Sequence, residues 1–280
     1  MIAKYLLADA IKKLRAAHVD DPQRDARILL ALHMGISRDR LTLAMEDEVS
    51  SDRVAFFDQA IARRAARVPV SQILGVRSFF GRDFRVTSDV LDPRPDTETL
   101  VQAALAESYQ SVLDLGTGSG CILLTLLAES PAAHGFGTDV SALALGVATK
   151  NAAQLGLSDR STFYCGSWFE AVDGQFDLIV SNPPYIAAAE MNDLQPEVRL
   201  HEPRIALTDE ADGLTHYRHI IAHHDPYLTP GGRLMVEIGP TQAEAVSAMM
   251  AAAKLTEITV IPDLDGRNRV VWGRKPRKTA

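Results

Sequence analysis

Two cysteines in 280 residues, Cys121 and Cys165, cannot build a disulfide framework, and so low a thiol content suits a reducing compartment. No stretch approaches the ~18 apolar residues that a membrane span requires. There is no excess of positive charge either. The formal net charge is −7, which leaves no global basic field to attract nucleic acid. The early charges Lys4, Asp9, Lys12 and Lys13 do not make a secretory pattern, so the cytoplasm is the expected location. Internal repeats and low-complexity tracts are absent. What is present is 46% hydrophobic and 23% charged, ordinary for a globular protein. The length allows a sizeable core and more than one domain.

The most informative residues are Asn182-Pro183-Pro184-Tyr185. They follow Phe176-Asp177-Leu178-Ile179-Val180-Ser181, an apolar, β-branched run that reads as a buried strand. The prolines end that strand and stiffen the turn. In open α/β sheets, the C-terminal ends of parallel strands are where ligands bind. Asn182 offers an amide oxygen and an NH2 there, and Tyr185 an aromatic face. The set suits a planar amide or amino nitrogen that must be held still while it reacts. Asn-Pro is also a plain turn signal, so the tetrapeptide needs a partner.

That partner is Val112-Leu113-Asp114-Leu115-Gly116-Thr117-Gly118-Ser119-Gly120, a short strand running into a glycine loop and then a helix from Ile122 to Glu129. Glycines let the backbone turn tightly and approach a ligand. The Gly-x-Gly-x-Gly spacing is one residue shorter than a dinucleotide fingerprint. Asp114 suits a cofactor carrying an ammonium group better than one carrying a pyrophosphate. About 25 residues on, Phe136-Gly137-Thr138-Asp139 is a second strand ending in an acid, which can take both hydroxyls of a ribose. The two acids point to S-adenosylmethionine, with its amino-acid end by Asp114 and its ribose by Asp139.

Patterning divides the chain. Residues 1–67 read as helical, with Leu7, Ile11 and Leu14 on one face, Ile28, Leu29 and Leu32 as a second stripe, and Val54, Phe57 and Ile61 as a third. Asp21-Pro22 is an N-cap signal, and Ser50 or Ser51 can cap the third helix. This unit has no catalytic constellation and is expected to recognise a large partner. Residues 68–92 read as a β-hairpin linker with its turn at Gly81-Arg82-Asp83. In the rigid connector from Asp92 to Leu100, Asp96 or Thr97 can cap a helix, and Arg94 and Glu98 can reach a cofactor pocket folded beneath them. From residue 93 to 280, strands at 111–115, 134–138, 162–165, 176–181, 232–238, 256–261 and 269–273 alternate with helices, among them one capped by Ser141. That alternation predicts a doubly wound sheet whose last two strands form an antiparallel hairpin.

These residues resemble the bacterial release-factor glutamine N5-methyltransferases (the HemK/PrmC family). The resemblance is carried by Asp114 to Gly120, Asp139, Asn182 to Tyr185, Pro93-Arg94-Pro95-Asp96-Thr97-Glu98, Gln72 to Gly75 with Phe79-Phe80-Gly81, Glu197 to Pro203, Gly231 to Gly239 and Asp265 to Arg269. It covers essentially the whole chain. Asp92 departs from the family's usual apolar residue, and Asp96 from its more frequent glutamate.

The resemblance implies a class I S-adenosylmethionine-dependent methyltransferase fold, Rossmann-like, with a seven-stranded, mostly parallel sheet. It implies methylation of the glutamine in the Gly-Gly-Gln motif of class I peptide-chain release factors. The cofactor set is then Asp114, Gly116, Thr117, Gly118, Ser119, Gly120, Asp139, Trp168 and Asn182. Asn182, Pro183 and Tyr185 are the catalytic set, and Asn182 through Tyr185 line the substrate slot.

Other readings stay open. Asn-Pro-Pro-Tyr also occurs in adenine-N6 methyltransferases, which would want a basic cleft or a base-flipping domain, and in a ribosomal-protein glutamine methyltransferase. A cofactor-binding module without catalysis is a third class, against which an intact Asn182 and Tyr185 argue. His216, His219 and His223 share a helical face, but methyl transfer needs no metal, and none is expected. Neither membrane nor nucleic acid is an expected partner. Cys121 reads as a small buried helix residue, and the basic end from Arg274 to Lys278 as a solvated tail.

Overall fold

The computed structural model describes residues 1–277, so Lys278 of the basic tail lies outside the described residues. The chain forms two compact units. The first contains α1 (Ala3–Ala16), α2 (Pro22–Met34), α3 (Ser51–Ala65) and the short α4 (Val70–Leu74). Asp21 caps α2 as its sequence signals, accepting a hydrogen bond from the Arg24 N–H at 3.1 Å with Pro22 at the first helical position. Ser50 stands at the N-cap of α3 but makes no capping hydrogen bond. Leu14, Leu29, Leu30, Phe57 and Ile61 form the core. The apolar stripe of α2 is rotated from the expected one: Ala26, Leu29, Leu30 and Met34 are buried, whereas Leu32 is exposed.

The second unit begins at Arg77. The strands β1 (Val76–Phe79) and β2 (Arg82–Arg85) make the hairpin. Its turn is Phe80-Gly81, both at positive φ, the requirement of a two-residue hairpin loop. Arg82 and Asp83 therefore belong to the second strand and not to the turn. Next come α5 (Glu98–Leu105), β3 (Ser111–Leu115), α6 (Cys121–Glu129), β4 (His134–Asp139), α7 (Ala142–Gln154), β5 (Ser161–Cys165) and β6 (Phe176–Ser181). Then follow α8 (Pro196–His201), α9 (Thr215–His223), β7 (Leu228–Glu237), α10 (Ala243–Ala252), β8 (Thr256–Pro262) and β9 (Asn268–Arg274). No helix among the described residues is long and apolar enough to cross a membrane.

The seven-stranded sheet has the order β5-β4-β3-β6-β7-β9-β8. β3 to β7 run parallel, and β9 is antiparallel to both β7 and β8. Strand order reverses between β3 and β6, which opens a crevice at their C-terminal ends. Register then does the positioning. Leu115 pairs with Thr138 and with Ser181, and Ser181 pairs with Val236. The next residue of each strand or loop is Gly116, Asp139, Asn182 and Glu237, so all four leave the sheet at one edge.

One stretch of the chain after β6 belongs elsewhere. Leu194–His201, including α8, is part of the first unit. There Glu197 accepts from Arg64 Nη2 at 2.8 Å and from Arg67 Nη2 at 2.6 Å, and Arg64 Nε reaches Asp25 Oδ2 at 2.7 Å. Burial would raise the Glu197 carboxyl, but the two guanidiniums hold it below its ordinary value. The first unit thus runs to Val76 and includes this excursion, where the hydrophobic pattern placed an edge at 67. α4 packs on α2 and α3, so the residues between are part of the bundle.

Candidate active site

The cleft at that edge is built from several stretches of the second unit. Gly116 to Ser119 form its floor, Asp139 to Ser141 one side, Gly166 to Trp168 another, and Asn182 with Pro184 the far wall. The connector supplies Asp89 to Leu91, Pro93, Arg94 and Thr97, and Pro203, Ile205, Ala206 and His216 close the rim.

The glycine loop explains its own composition. Gly116 has φ 73°, a left-handed conformation that side chains avoid. Gly120 has φ 78°, and a Cβ there would meet Leu124 at 3.1 Å and Ala148 at 3.2 Å, so only glycine lets α6 start against α7. Asp139 braces the loop. Its Oδ2 accepts from the Gly118 N–H at 2.9 Å and its Oδ1 from the Ser141 N–H at 2.9 Å. Burial raises its pKa, and these backbone bonds oppose the rise. Each carboxylate oxygen keeps a second lone pair for a ligand hydroxyl. Ser141 also caps α7 as expected, accepting from the Ala144 N–H at 3.1 Å.

Asp114 is placed differently from the expectation. It is fully buried and stands behind the loop, outside the cleft lining. Its Oδ2 accepts from the Thr117 hydroxyl at 2.7 Å, and it is Thr117 that reaches the cleft. Burial pushes the Asp114 carboxyl up to about 7. Gly120 is likewise not in the lining, which resumes after it at Cys121 and Ile122; it stands at the N-cap of α6. Cys121 is buried, which drives its thiol up to about 12 and leaves it inert as a nucleophile.

Trp168, at φ 50°, lies on the wall, with its carbonyl fixed by the Thr138 hydroxyl at 2.9 Å. Its ring packs on His216 at 5.0 Å between centroids. Of the three histidines sharing a helical face, His216 alone lines the cleft, while His219 and His223 stack on each other at 4.4 Å. Among the described residues no cluster of three or more His, Cys, Asp or Glu side chains could hold a metal ion.

In the tetrapeptide, Asn182 and Pro184 line the cleft, whereas Pro183 and Tyr185 do not. The Tyr185 carbonyl accepts from Gln242 Nε2 at 2.9 Å, and burial raises its hydroxyl to about 12, so it stays protonated. Asn182 Nδ2 donates to Thr97 Oγ1 at 3.3 Å. Arg94 Nη2 donates to both carboxylate oxygens of buried Glu202, at 2.7 and 2.6 Å. Glu98 faces away and accepts the Phe80 N–H at 2.8 Å, holding the hairpin.

Sequence reasoning missed Thr97 as a cleft residue, Glu237 behind it, and Asn151. Asn151 is wholly buried. It accepts the Arg85 N–H at 2.7 Å and donates to the Ser119 carbonyl at 2.8 Å, fastening α7 to both hairpin and loop. The available signal was a polar residue on the apolar face of α7.

Buried Asp114 yields a pH prediction. Its pKa is raised in the fold, so the folded state binds the proton more tightly than the unfolded chain, which titrates near about 4. Its contribution is therefore complete at low pH and is lost as pH rises through about 7. Asp114→Asn, which never ionises, should gain in melting temperature relative to the wild type between about pH 5 and about pH 8. A difference that does not change with pH would show that Asp114 titrates normally.

Comparison with known proteins agrees with this geometry. Residues 5–75 match the family model of the PrmC N-terminal domain, and residues 88–256 that of the methyltransferase small domain. The chain is 54% identical to the release factor glutamine methyltransferase of Cereibacter sphaeroides over 99% of both chains. It is 45% identical to that of Rhodospirillum rubrum, covering 98% of this chain and 86% of the relative. The fold is shared with a crystal structure of a methyltransferase from Pyrococcus furiosus, at TM-score 0.55 and 15% identity, over 77% of this chain and 99% of that one.

The sheet order and the glycine loop at its switch point define a class I S-adenosylmethionine-dependent methyltransferase. The cleft's donor set suits that cofactor: a glycine floor that admits close backbone approach, a strand-end carboxylate and an aromatic wall. Within that class, the chain belongs to the release factor glutamine methyltransferase family.

Proposed function

We propose that this enzyme methylates N5 of the glutamine in the Gly-Gly-Gln motif of class I peptide-chain release factors, in the cytoplasm, in support of translation termination. The relatives named release factor glutamine methyltransferase support the substrate. The observation that carries the chemistry is Asn182. Its NH2 is engaged by Thr97, and its Oδ1 is left as an acceptor on the cleft wall.

S-adenosylmethionine supplies an electrophilic methyl group on a sulfonium. Gly116, Thr117, Gly118 and Ser119 would hold it, with Asp139 at the ribose and Trp168 alongside; Asp114 supports from behind through Thr117. An amide nitrogen is a poor nucleophile because its lone pair is delocalised. The protein must therefore orient it and favour the charge that develops on it. Asn182 Oδ1 accepts one N–H of the glutamine amide, and the Pro183 carbonyl accepts the other. The prolines keep the turn stiff while Tyr185 and Gln242 brace it from outside the cleft. The displaced proton leaves to water.

The helical unit serves recognition of the protein substrate. No direct nucleic-acid binding is part of this reading, in keeping with the net charge of −7. The test offers the enzyme three acceptors with a labelled methyl donor: a purified class I release factor, the same factor with Gln→Glu in its Gly-Gly-Gln motif, and an adenine-containing oligonucleotide. Label should enter the first alone. Label in the oligonucleotide, or equal label in the Glu-substituted factor, would refute the assignment.

A further inference from the structure

Thr97 stands where a helix N-cap would be, immediately before α5, yet its side chain makes no capping bond. It is 2% exposed and still reaches the cleft wall. Its hydroxyl has two partners. One is the Nδ2 of Asn182, at 3.3 Å. The other is the carboxyl of Glu237, the last residue of β7, itself 1% exposed. Glu237 Oε2 has no hydrogen-bond partner among the described residues, which leaves Oε1 to receive the Thr97 hydroxyl.

We propose that Thr97, anchored by Glu237, is a positioning residue that fixes the Asn182 amide with its oxygen facing the acceptor nitrogen. The argument is one of proton counting. A hydroxyl has one proton to give and two lone pairs. Oε1 of a carboxylate can only accept, and it stays an acceptor if the acid is protonated on the unpartnered Oε2. The Thr97 proton is therefore committed to Glu237. Toward Asn182, Thr97 can then only accept, which draws in the NH2 and excludes the amide oxygen. The planar amide has no third choice: with NH2 on Thr97, Oδ1 lies on the other fork and is left for the substrate. Without the Thr97 hydroxyl, the Asn182 amide can turn over and present N–H to N–H. The register that places Asn182 and Glu237 at one sheet edge makes this short chain possible. The proposal rests on the amide-methylation reading above and adds the group that orients its acceptor.

The test compares Thr97→Val, which keeps the shape and loses the hydroxyl, with Thr97→Ser, which keeps the hydroxyl. Single-turnover rates on a release factor at saturating S-adenosylmethionine should fall about ten- to thirtyfold in Thr97→Val, the scale of one lost hydrogen bond. They should stay within about threefold of wild type in Thr97→Ser, with cofactor affinity in both changed by less than about threefold. Should Thr97→Val not fold, Thr97→Ala is read in the same way. Glu237→Leu should cost as much as Thr97→Val, and the double variant no more, because both break one chain.

A second readout needs no turnover. The protein has four asparagines, so nitrogen-15 labelling of asparagine gives a spectrum in which Asn182→Ala identifies the Asn182 NH2. Its protons should be protected from exchange in wild type and Thr97→Ser, and exchange freely in Thr97→Val. A wild-type rate in Thr97→Val, or equal loss in Thr97→Ser, would overturn the proposal, and an additive double variant would overturn the part of Glu237. If the wild-type enzyme transfers no methyl to the release factor, the functional reading fails, while the exchange comparison still decides whether Thr97 holds Asn182.

Discussion

Asn182→Ala should transfer methyl roughly 10²- to 10³-fold more slowly than the wild type at saturating cofactor, by analogy with losing one preorganised contact to developing charge. The loss should fall on kcat because the acceptor bond tightens as positive charge grows on the amide nitrogen. Asn182 also lines the cofactor cleft, so cofactor affinity is measured first and saturation established. Asn182→Asp separates acceptor from orientation. It keeps an oxygen, but it loses the NH2 that seats on Thr97, and its charge draws in water. It should remain well below wild type on glutamine and retain more activity than Asn182→Ala on an amino-group acceptor. Single-turnover methyl transfer reads both. An undiminished rate in Asn182→Ala would make this residue a turn former and nothing more.

Asp139→Ala should weaken S-adenosylmethionine binding by about 1.5–3 kcal/mol, the range for hydrogen bonds to a charged group. Two losses combine: the acceptor for ribose hydroxyls, and the brace on the Gly118 and Ser141 N–H groups. Asp139→Asn distinguishes them. It keeps a single acceptor oxygen and places an NH2 against a backbone N–H, so it should bind little better than alanine. Titration calorimetry on the folded variants checks the order. Unchanged affinity in Asp139→Ala would remove this carboxylate from the cofactor site.

The sheet was legible because its strands are short apolar runs bounded by turn residues. β3 matched its expected residues 111–115, and β6 its expected 176–181. The final antiparallel hairpin followed from the short connection between its strands. The glycine loop, Asp139 and Asn182 were legible because each ends a recognisable strand.

What escaped was long-range or depended on direction. Thr97 meets Asn182 across 85 residues of sequence, and the Glu197 clasp links α8 to residues more than a hundred positions earlier. Such contacts leave no local period. Glu237 sits in an apolar strand, where no local period marks a functional acid; it is buried beneath the connector, and burial lifts it to about 7. Asp114 and Tyr185 were identified as part of the site, but neighbouring side chains on a strand or at a turn leave in different directions. Asp114 went behind the loop and Tyr185 toward Gly239. The hairpin turn moved to Phe80-Gly81 because the two-residue loop needs positive φ at both positions, which Phe80 is made to adopt.

The central claim is that this cleft aims an amide nitrogen at a methyl donor. The direct measurement is tandem mass spectrometry of a class I release factor after reaction with the enzyme and isotopically labelled S-adenosylmethionine. One labelled methyl group on the side-chain nitrogen of the Gly-Gly-Gln glutamine, absent when Asn182→Ala replaces the wild type for the same brief reaction, is the predicted result. Label on a carboxylate or on a lysine or backbone nitrogen, or none on the factor at all, would contradict it.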